Sequence, residues 1–259
     1  MSKLTAVLLT RGDPRHVYFA NMLSQHVDLK HVAIHTHQKH AFFRALEHQK
    51  IGRNLSEIWK VIRKCIFFSS FQEKMFFFGR SSVSLKDEIS YSNIFNVNDE
   101  KFVKKIVDIN PNIIFTFGCG VLKNKNYFEK QFKILNLHSG LIPSYRGVDS
   151  VYWCMYNKEF DNIGYTIHFI DKRLDMGQLV ASTKVDTSKI LTVSQTFFRV
   201  VKLAIEKYPE IINKISLKQD LALSKPDKHG KIYYERDRNF YTDMVVFFNL
   251  VCYKIGVFK

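Results

Sequence analysis

Cysteine is scarce in this sequence and forms no recognisable framework. The 259 residues include four cysteines, Cys65, Cys119, Cys154 and Cys252, and no two of them form a C-x-x-C pair. Because paired cysteines at short spacing are typical of zinc sites and of small disulfide-stabilised domains, we expect neither. Reduced thiols in the cytoplasm are the interpretation that this usage favours.

Long apolar runs are also missing. No stretch of about 18 uninterrupted apolar residues occurs, and the first ten residues lack the regions that make up a signal peptide. We therefore expect no membrane-spanning helix and a cytoplasmic location. Internal repeats and low-complexity tracts are absent as well, so a repeat architecture is not expected.

Acidic residues are few relative to basic ones. The chain has 39 Lys and Arg against 24 Asp and Glu, a net charge of +15. This bias favours an anionic partner, which could be a nucleic acid, a membrane surface or a phosphorylated substrate, and does not choose among them. Hydrophobic residues make up 46% of the chain, which is sufficient for the core of one full α/β domain.

Apolar runs and turn signals alternate as in a parallel α/β protein. The spacing predicts a mostly parallel sheet flanked by helices over residues 1–215, and an appendage over residues 216–259 made of a hairpin and an apolar helix. Residues 39–78 are expected to form one or two helices. Strands are predicted at 4–9, 32–34, 113–117, 132–137, 165–170 and 178–185, and helices at about 100–107, 149–156 and 193–215.

Two polar side chains stand at alternate positions near the end of one predicted strand. Asn136 and His138 therefore point to the same face of the sheet. Ligands of open parallel sheets bind at the carboxyl ends of the strands, so both side chains are expected at the edge of a cleft. A carboxylate from a later loop, Asp171 or Asp175, could reach the imidazole and change its pKa.

The segment around these residues resembles the formyltransferase family, which includes glycinamide ribonucleotide, methionyl-tRNA and nucleotide-sugar formyltransferases. The matching motifs are Asn-Leu-His at 136–138, Leu-Ile-Pro-Ser-Tyr-Arg-Gly at 141–147, Gly-Tyr-Thr-Ile-His at 164–168 and Leu-Asp-Met-Gly at 174–177. The resemblance is clear over residues 108–186 and implies a Rossmann-like fold. Gly140 departs from the family pattern, and we expect only a local change of the loop.

The resemblance implies transfer of a formyl group from 10-formyltetrahydrofolate to an amine, without a metal. His138 and Asn136 are expected to donate hydrogen bonds to the formyl oxygen. Asp175 is expected to orient His138 and to help remove the proton of the amine. The residues implied for binding of the folate are Gly118, Gly120, Val121, Leu122, Asp171 and Gly177.

The acceptor is expected to be a nucleotide-linked amino sugar, for example GDP- or dTDP-linked, of the kind used in O-antigen synthesis. Only 44 residues follow residue 215, fewer than the tRNA-binding domain of methionyl-tRNA formyltransferases has, while glycinamide ribonucleotide enzymes are shorter. These two enzymes are the alternatives. The residues proposed to bind the acceptor are Arg11, Arg15 and His16 at a helix N-terminus, which attracts phosphate, with Tyr145 and Arg146.

The alternative from another class is a basic protein that binds nucleic acid without catalysis. It would use basic and aromatic residues of 43–80, such as Arg53, Lys60, Arg63, Lys64 and Phe67, although no known nucleic-acid motif occurs there. We expect no nucleic-acid partner.

Two further segments of the sequence lead to structural expectations. The apolar tail at 244–258 is predicted to pack on the domain or on a second subunit of a homodimer, with a membrane surface as the alternative. The cluster His35, His37 and His40 lacks acidic or cysteine neighbours and is predicted to be an exposed loop.

Overall fold

The computed structural model describes residues 3–36, 59, 70–130, 132–171, 175–188, 192–226 and 230–257. The strands in these residues are β1 (Thr5–Thr10), β2 (Asp28–His35), β3 (Tyr91–Ile94), β4 (Ile113–Thr116), β5 (Lys133–His138), β6 (Tyr145–Gly147), β7 (Gly164–Phe169), β8 (Leu179–Lys184) and β9 (Lys231–Tyr233). The α-helices are α1 (Pro14–His26), α2 (Ser70–Phe78), α3 (Glu100–Ile109), α4 (Asn126–Glu129), α5 (Ser150–Tyr156), α6 (Val193–Ser216) and α7 (Phe240–Lys254).

Seven of these strands form one sheet in the order β3-β2-β1-β4-β5-β7-β8. The first five are parallel to their neighbours, whereas β7 runs antiparallel to both β5 and β8. The predicted Rossmann-like, mostly parallel sheet flanked by helices is confirmed. The strand pair expected around residues 171–177 is the antiparallel pair β7 and β8.

Alternation along β1 explains why helices cover both faces of the sheet. Ala6 and Leu8 belong to one buried cluster, and Val7 and Leu9 belong to another. Successive strand residues point to opposite faces, so α1, α5 and α6 supply the first cluster and α3 supplies the second. A strand that is buried on both faces requires a continuous apolar run, which is what residues 4–9 provide.

The C-terminal appendage differs from the prediction. No hairpin forms among its described residues, and β9 instead pairs in parallel with β6 of the preceding domain, in a separate two-stranded sheet. Gly147 of β6 has a φ of +89°, and a Cβ atom there would lie 2.2 Å from the carbonyl oxygen of Tyr233. Glycine at this position therefore permits the close pairing of the two strands.

The predicted apolar helix is present as α7 and packs on α5. Asn249 is buried and its side-chain amide donates to the carbonyls of Met155, at 3.0 Å, and Tyr156, at 2.9 Å, which lie at the end of α5. The ring of Tyr253 stacks on that of Phe160 with centroids 3.9 Å apart. The tail thus packs on the domain, and no helix in the described residues is long and apolar enough to span a membrane.

Several of the sequence predictions concern residues outside the described ranges. These are most of the helical segment at 39–78, of which α2 and residue 59 are described, the residues Arg53, Lys60, Arg63, Lys64 and Phe67, and the histidines His37 and His40.

Candidate active site

A cleft of about 390 Å³ opens at the carboxyl ends of β4 and β5. This is the edge of the sheet where ligands of open α/β folds bind. The predicted catalytic residues Asn136, His138 and Asp175 all line the cleft. Asn136 and His138 reach it from alternate positions of β5, while Asp175 comes from the loop between β7 and β8.

The side chain of Asn136 is held from two sides. Its Oδ1 atom accepts a hydrogen bond of 2.8 Å from the hydroxyl of Thr116 on β4. Its Nδ2 atom lies 3.0 Å from Nε2 of His168 on β7. The register of the sheet produces this arrangement, because Asn136 is paired with Thr116 on one side and with His168 on the other.

His168 fixes which way the amide of Asn136 points. Its Nδ1 atom lies 3.0 Å from the carbonyl oxygen of Phe169, which can only accept, so the proton is on Nδ1. The Nε2 atom of the neutral ring is then an acceptor for the amide N–H of Asn136. Burial lowers the pKa of His168 from 6.5 to about 4, against the opposing effect of Asp175, so the ring is neutral at pH 7.

His138 is anchored by the turn that follows β5. Its Nε2 atom lies 2.7 Å from the carbonyl oxygen of Tyr145 and 3.3 Å from the hydroxyl of Ser150. Since a carbonyl only accepts, Nε2 carries a proton and Nδ1 is the lone-pair nitrogen of the neutral ring. A Cβ atom at Gly140 would lie 2.5 Å from Ser150 and 2.9 Å from Nε2, so the glycine leaves room for this contact.

Asp175 contacts different groups from those expected. One carboxylate oxygen accepts from the backbone N–H of Gly147 at 2.9 Å, and the other lies 3.6 Å from Nε2 of His168. The prediction that this carboxylate would reach the imidazole of His138 is not matched, because the backbone of β6 and the imidazole of His168 hold it instead. Asp175 is 9% exposed and has a φ of +49°, a backbone conformation that costs energy outside glycine.

Most of the sequence matches a known family. A sequence model with the description "Formyl transferase" covers residues 30–212. The chain belongs to the formyltransferase family. The family assignment made from the Asn-Leu-His and Leu-Asp-Met-Gly motifs is therefore confirmed.

Curated relatives match this chain over part of their length. A methionyl-tRNA formyltransferase of Clostridioides difficile is 25% identical over 134 residues, which cover 51% of this chain and 43% of that protein. The bifunctional polymyxin resistance protein ArnA of Wigglesworthia glossinidia brevipalpis is 30% identical over 125 residues, 46% of this chain and 19% of that protein. The matched region spans less than half of the length of these relatives.

Solved structures share the fold over nearly the whole chain. A 4-N formyltransferase from Francisella tularensis has a TM-score of 0.59 at 15% identity, covering 94% of this chain and 86% of that one. A sugar N-formyltransferase from a Shewanella species has a TM-score of 0.58 at 15% identity, with coverages of 95% and 87%. A phosphoribosylglycinamide formyltransferase from Anaplasma phagocytophilum has a TM-score of 0.57 at 14% identity, with coverages of 91% and 100%.

Most of the residues expected to bind the folate line the cleft. Gly118 and Gly120 follow β4 with φ values of +66° and +94°, and the space beside Gly120 is open. Val121, Leu122 and Asp171 also line the cleft, and Val121 is exposed. Glycine backbone beside an exposed apolar side chain suits a flat ring.

Gly177 lies apart from these residues. A Cβ atom at Gly177 would lie 1.7 Å from the carbonyl oxygen of Phe169. Its position is therefore structural, and among the described residues it is not part of the cleft wall. Residues 172–174 of the same motif are outside the described ranges.

The residues expected to bind the acceptor are placed less favourably. Tyr145 is buried, donates its phenol hydrogen to Glu159 at 2.8 Å and stacks on Tyr233. The side chain of Arg146 is also buried and donates to the carbonyl of Gly230 at 3.4 Å. Neither is among the described residues that line the cleft, so a role in binding the acceptor directly is not supported.

At the start of α1, where the sequence predicts a phosphate site, one of the three expected residues is buried and uncharged. Arg11, Arg15 and His16 line the cleft as predicted. His16, however, is buried against Phe117 and bonds to Thr10 through Nδ1 at 2.7 Å. Burial, followed by the charges of Arg15 and Arg11, lowers its pKa well below 6.5, so His16 is a neutral packing residue at pH 7.

Sequence reasoning did not single out several residues that shape the site. Thr116 and His168 orient Asn136, and the histidine was visible only as the end of the Gly-Tyr-Thr-Ile-His segment. Ile232, Tyr233 and Tyr234 line the cleft from the appendage, and no sequence pattern indicated this. In the described residues, no group of three or more His, Cys, Asp and Glu side chains could hold a metal ion.

Proposed function

We propose that this formyltransferase moves a formyl group from 10-formyltetrahydrofolate to the amino group of a nucleotide-linked amino sugar. The observation that carries the reaction type is the orientation of Asn136, whose amide donates one N–H to His168 and keeps its second N–H for a ligand in the cleft. Such a preoriented donor suits an oxygen that gains negative charge.

The residues around the cleft provide the open space and apolar surface that the flat ring of a folate requires. The backbone at Gly120 leaves open space, and the exposed side chain of Val121 offers apolar surface beside it. When bound there, 10-formyltetrahydrofolate would supply the formyl carbon that the amine attacks. Asn136 would donate its second N–H to the formyl oxygen as charge develops on it.

His138 would move the proton of the reaction. Its Nε2–H is committed to the carbonyl of Tyr145, so Nδ1 is the atom available to accept the proton of the attacking amine. The resulting imidazolium could then donate from Nδ1 to the formyl oxygen or to the departing folate nitrogen. In this order of steps His138 first accepts a proton and then donates it, which includes the donor role expected from the family.

Asp175 would act through position and charge. Its carboxylate bonds to the backbone of Gly147 and lies beside His168, at the cleft wall opposite β4. A buried negative charge near two histidines favours formation of an imidazolium during the reaction. Asp175 would therefore stabilise the protonated state of His138 without direct contact.

The appendage supports a sugar acceptor over the alternatives. Tyr234, which follows β9 and is 44% exposed, adds aromatic surface to the cleft, and aromatic faces pack well against sugar and base rings. The solved sugar N-formyltransferase from a Shewanella species is similar in fold over 95% of this chain, and the phosphoribosylglycinamide formyltransferase from Anaplasma phagocytophilum over 91%, so the choice of a sugar acceptor rests on the appendage rather than on the shared fold. A cytoplasmic location and a homodimer stay predictions from the sequence.

The test is a formylation assay with a panel of acceptors. Purified protein and 10-formyltetrahydrofolate are combined with GDP- and dTDP-linked amino sugars, glycinamide ribonucleotide and methionyl-tRNA, and mass spectrometry follows the gain of one formyl group. We expect product with an amino sugar and none with the His138→Ala variant. Product only with glycinamide ribonucleotide or methionyl-tRNA would show that the proposed acceptor is wrong. The absence of product with every amine would refute the proposed formyl transfer.

A further inference from the structure

The N-terminus of α1 already holds a negatively charged side chain of the protein itself. Glu73 on α2 is 5% exposed, and its Oε1 atom accepts from the backbone N–H of Arg15 at 2.9 Å and from the guanidinium of Arg15 at 2.8 Å. Helix N-termini attract anions because their first N–H groups lack partners within the helix. At α1 a carboxylate of the chain takes this position.

The remaining donors of the first turn are also engaged. Pro14 has no N–H, and the amides of His16 and Val17 donate to the carbonyl oxygen of Asp13 at 2.9 and 3.2 Å. The second guanidinium nitrogen of Arg15 lies 3.2 Å from the carboxylate of Asp13. Each of these groups would have to be released before a phosphate could bind to the turn.

The charges at this corner cancel. Arg11 and Arg15 contribute two positive charges, and Asp13 and Glu73 contribute two negative charges, so the formal sum is zero. The guanidinium of Arg15 also lies over the ring of Phe197, 5.4 Å from its centroid, a position that favours the cation. A phosphate dianion would therefore meet two carboxylates and no net attraction.

We infer that Glu73 is a specificity-determining residue that excludes phosphate groups from the N-terminus of α1. Acceptors that must place a phosphate at this corner are rejected, and an accepted substrate presents an uncharged part, such as a sugar ring, to Arg15. The statement about acceptors rests on the proposed function, whereas the exclusion of phosphate is a binding property that can be measured without turnover.

The experiment follows phosphate binding at the Arg15 backbone amide. Isotope-labelled protein is titrated with inorganic phosphate at constant ionic strength, and the amide resonance of Arg15 is recorded by NMR. We expect no saturable shift in the wild type. In Glu73→Gln, we expect saturable binding of phosphate. Its affinity should be roughly tenfold to a hundredfold higher than that of the wild type, since hydrogen bonds to charged groups contribute factors of this size.

A matched variant separates the local effect from net charge. Glu210→Gln changes the total charge equally on the exposed face of α6, where the carboxylate pairs only with Lys207 and Lys214 in the described contacts, and should leave the Arg15 resonance unchanged. If Glu73→Gln does not fold, Glu73→Ala removes the same carboxylate from the backbone N–H and guanidinium of Arg15 and should show the same binding.

Three outcomes would overturn the inference. These are a saturable shift of Arg15 in the wild type at the same phosphate concentration, no shift in a folded Glu73→Gln variant, or an equal shift in Glu210→Gln. Because none of these readouts uses formyl transfer, failure of the proposed function would leave the result interpretable.

Discussion

Replacement of Asn136 by aspartate should abolish most of the formyl transfer while leaving the fold intact. The two side chains have nearly the same shape, and a carboxylate oxygen can still accept the hydroxyl hydrogen of Thr116. The carboxylate has no N–H to donate to the formyl oxygen. It also places a negative charge where the amide nitrogen now lies 3.0 Å from Nε2 of His168.

The size of the effect follows from the lost donor. Removal of one donor from a site that stabilises an oxyanion raises the barrier by about 2.7–4 kcal/mol, which is a decrease of about 10²–10³ in kcat. KM for the acceptor should change little, because the lost interaction strengthens only as charge develops. The new carboxylate should also raise the pKa of His168 from about 4, since an opposite charge nearby favours the imidazolium.

Two measurements test this reasoning. Single-turnover formylation with the acceptor found in the panel gives the rate, and NMR titration of the imidazole nitrogens gives the pKa of His168. Circular dichroism melting establishes that Asn136→Asp is folded. A folded variant with less than about a fivefold loss of rate, or with an unchanged pKa of His168, would refute the assigned orientation of the amide.

Three further predictions concern orientation, backbone clash and pH. Thr116→Val removes the hydroxyl that orients Asn136 and should lower kcat about tenfold with KM unchanged, because one neutral hydrogen bond contributes a factor of roughly this size. An unchanged kcat would show that the hydroxyl is dispensable. Gly147→Ala should lower Tm by roughly 6–12 °C, because its Cβ would lie 2.2 Å from backbone and steric changes of this kind cost about 3 kcal/mol or more. Gly120→Ala, with positive φ but open space, should lower Tm much less, and equal losses would contradict the steric argument. The folded-state pKa of His168 is about 4, below its ordinary 6.5, so the unfolded chain binds the proton first as pH falls. The contribution of His168 to the free energy of unfolding is therefore complete above about pH 6.5. It decreases by up to roughly 3 kcal/mol as the pH falls towards 4. Urea unfolding between pH 7 and 4 should show a shallower pH dependence in His168→Gln, and an unchanged slope would refute the assignment.

The fold was predictable because its strands are local apolar runs. Residues 4–9 and 113–117 must be buried on both faces, and only the centre of a parallel sheet offers such a place. The appendage was mispredicted because β9 has only three residues, Lys231–Tyr233. Its partner is β6, more than eighty residues earlier in the chain, so no local pattern reports the pairing.

The site was predictable where it lies on one strand. Asn136 and His138 share a face by simple alternation, and the structure brings both to the cleft. The partner of Asp175 was mispredicted because the sheet register, which the sequence does not reveal, sets His168 beside Asn136. Glu73 reaches the start of α1 from a distant helix, so the sequence displayed only the arginines at this turn and not the carboxylate that neutralises them.

The pairing of β9 with β6 also determines when the cleft becomes complete. A polypeptide is synthesised from its amino terminus, so the sheet and the three polar residues of the cleft emerge from the ribosome before residues 231–234 do. Until then, the wall formed by Ile232, Tyr233 and Tyr234 is absent. A nascent chain can therefore bring Asn136, His138 and Asp175 together before this wall of the cleft exists, and the cleft is complete only when β9 pairs with β6.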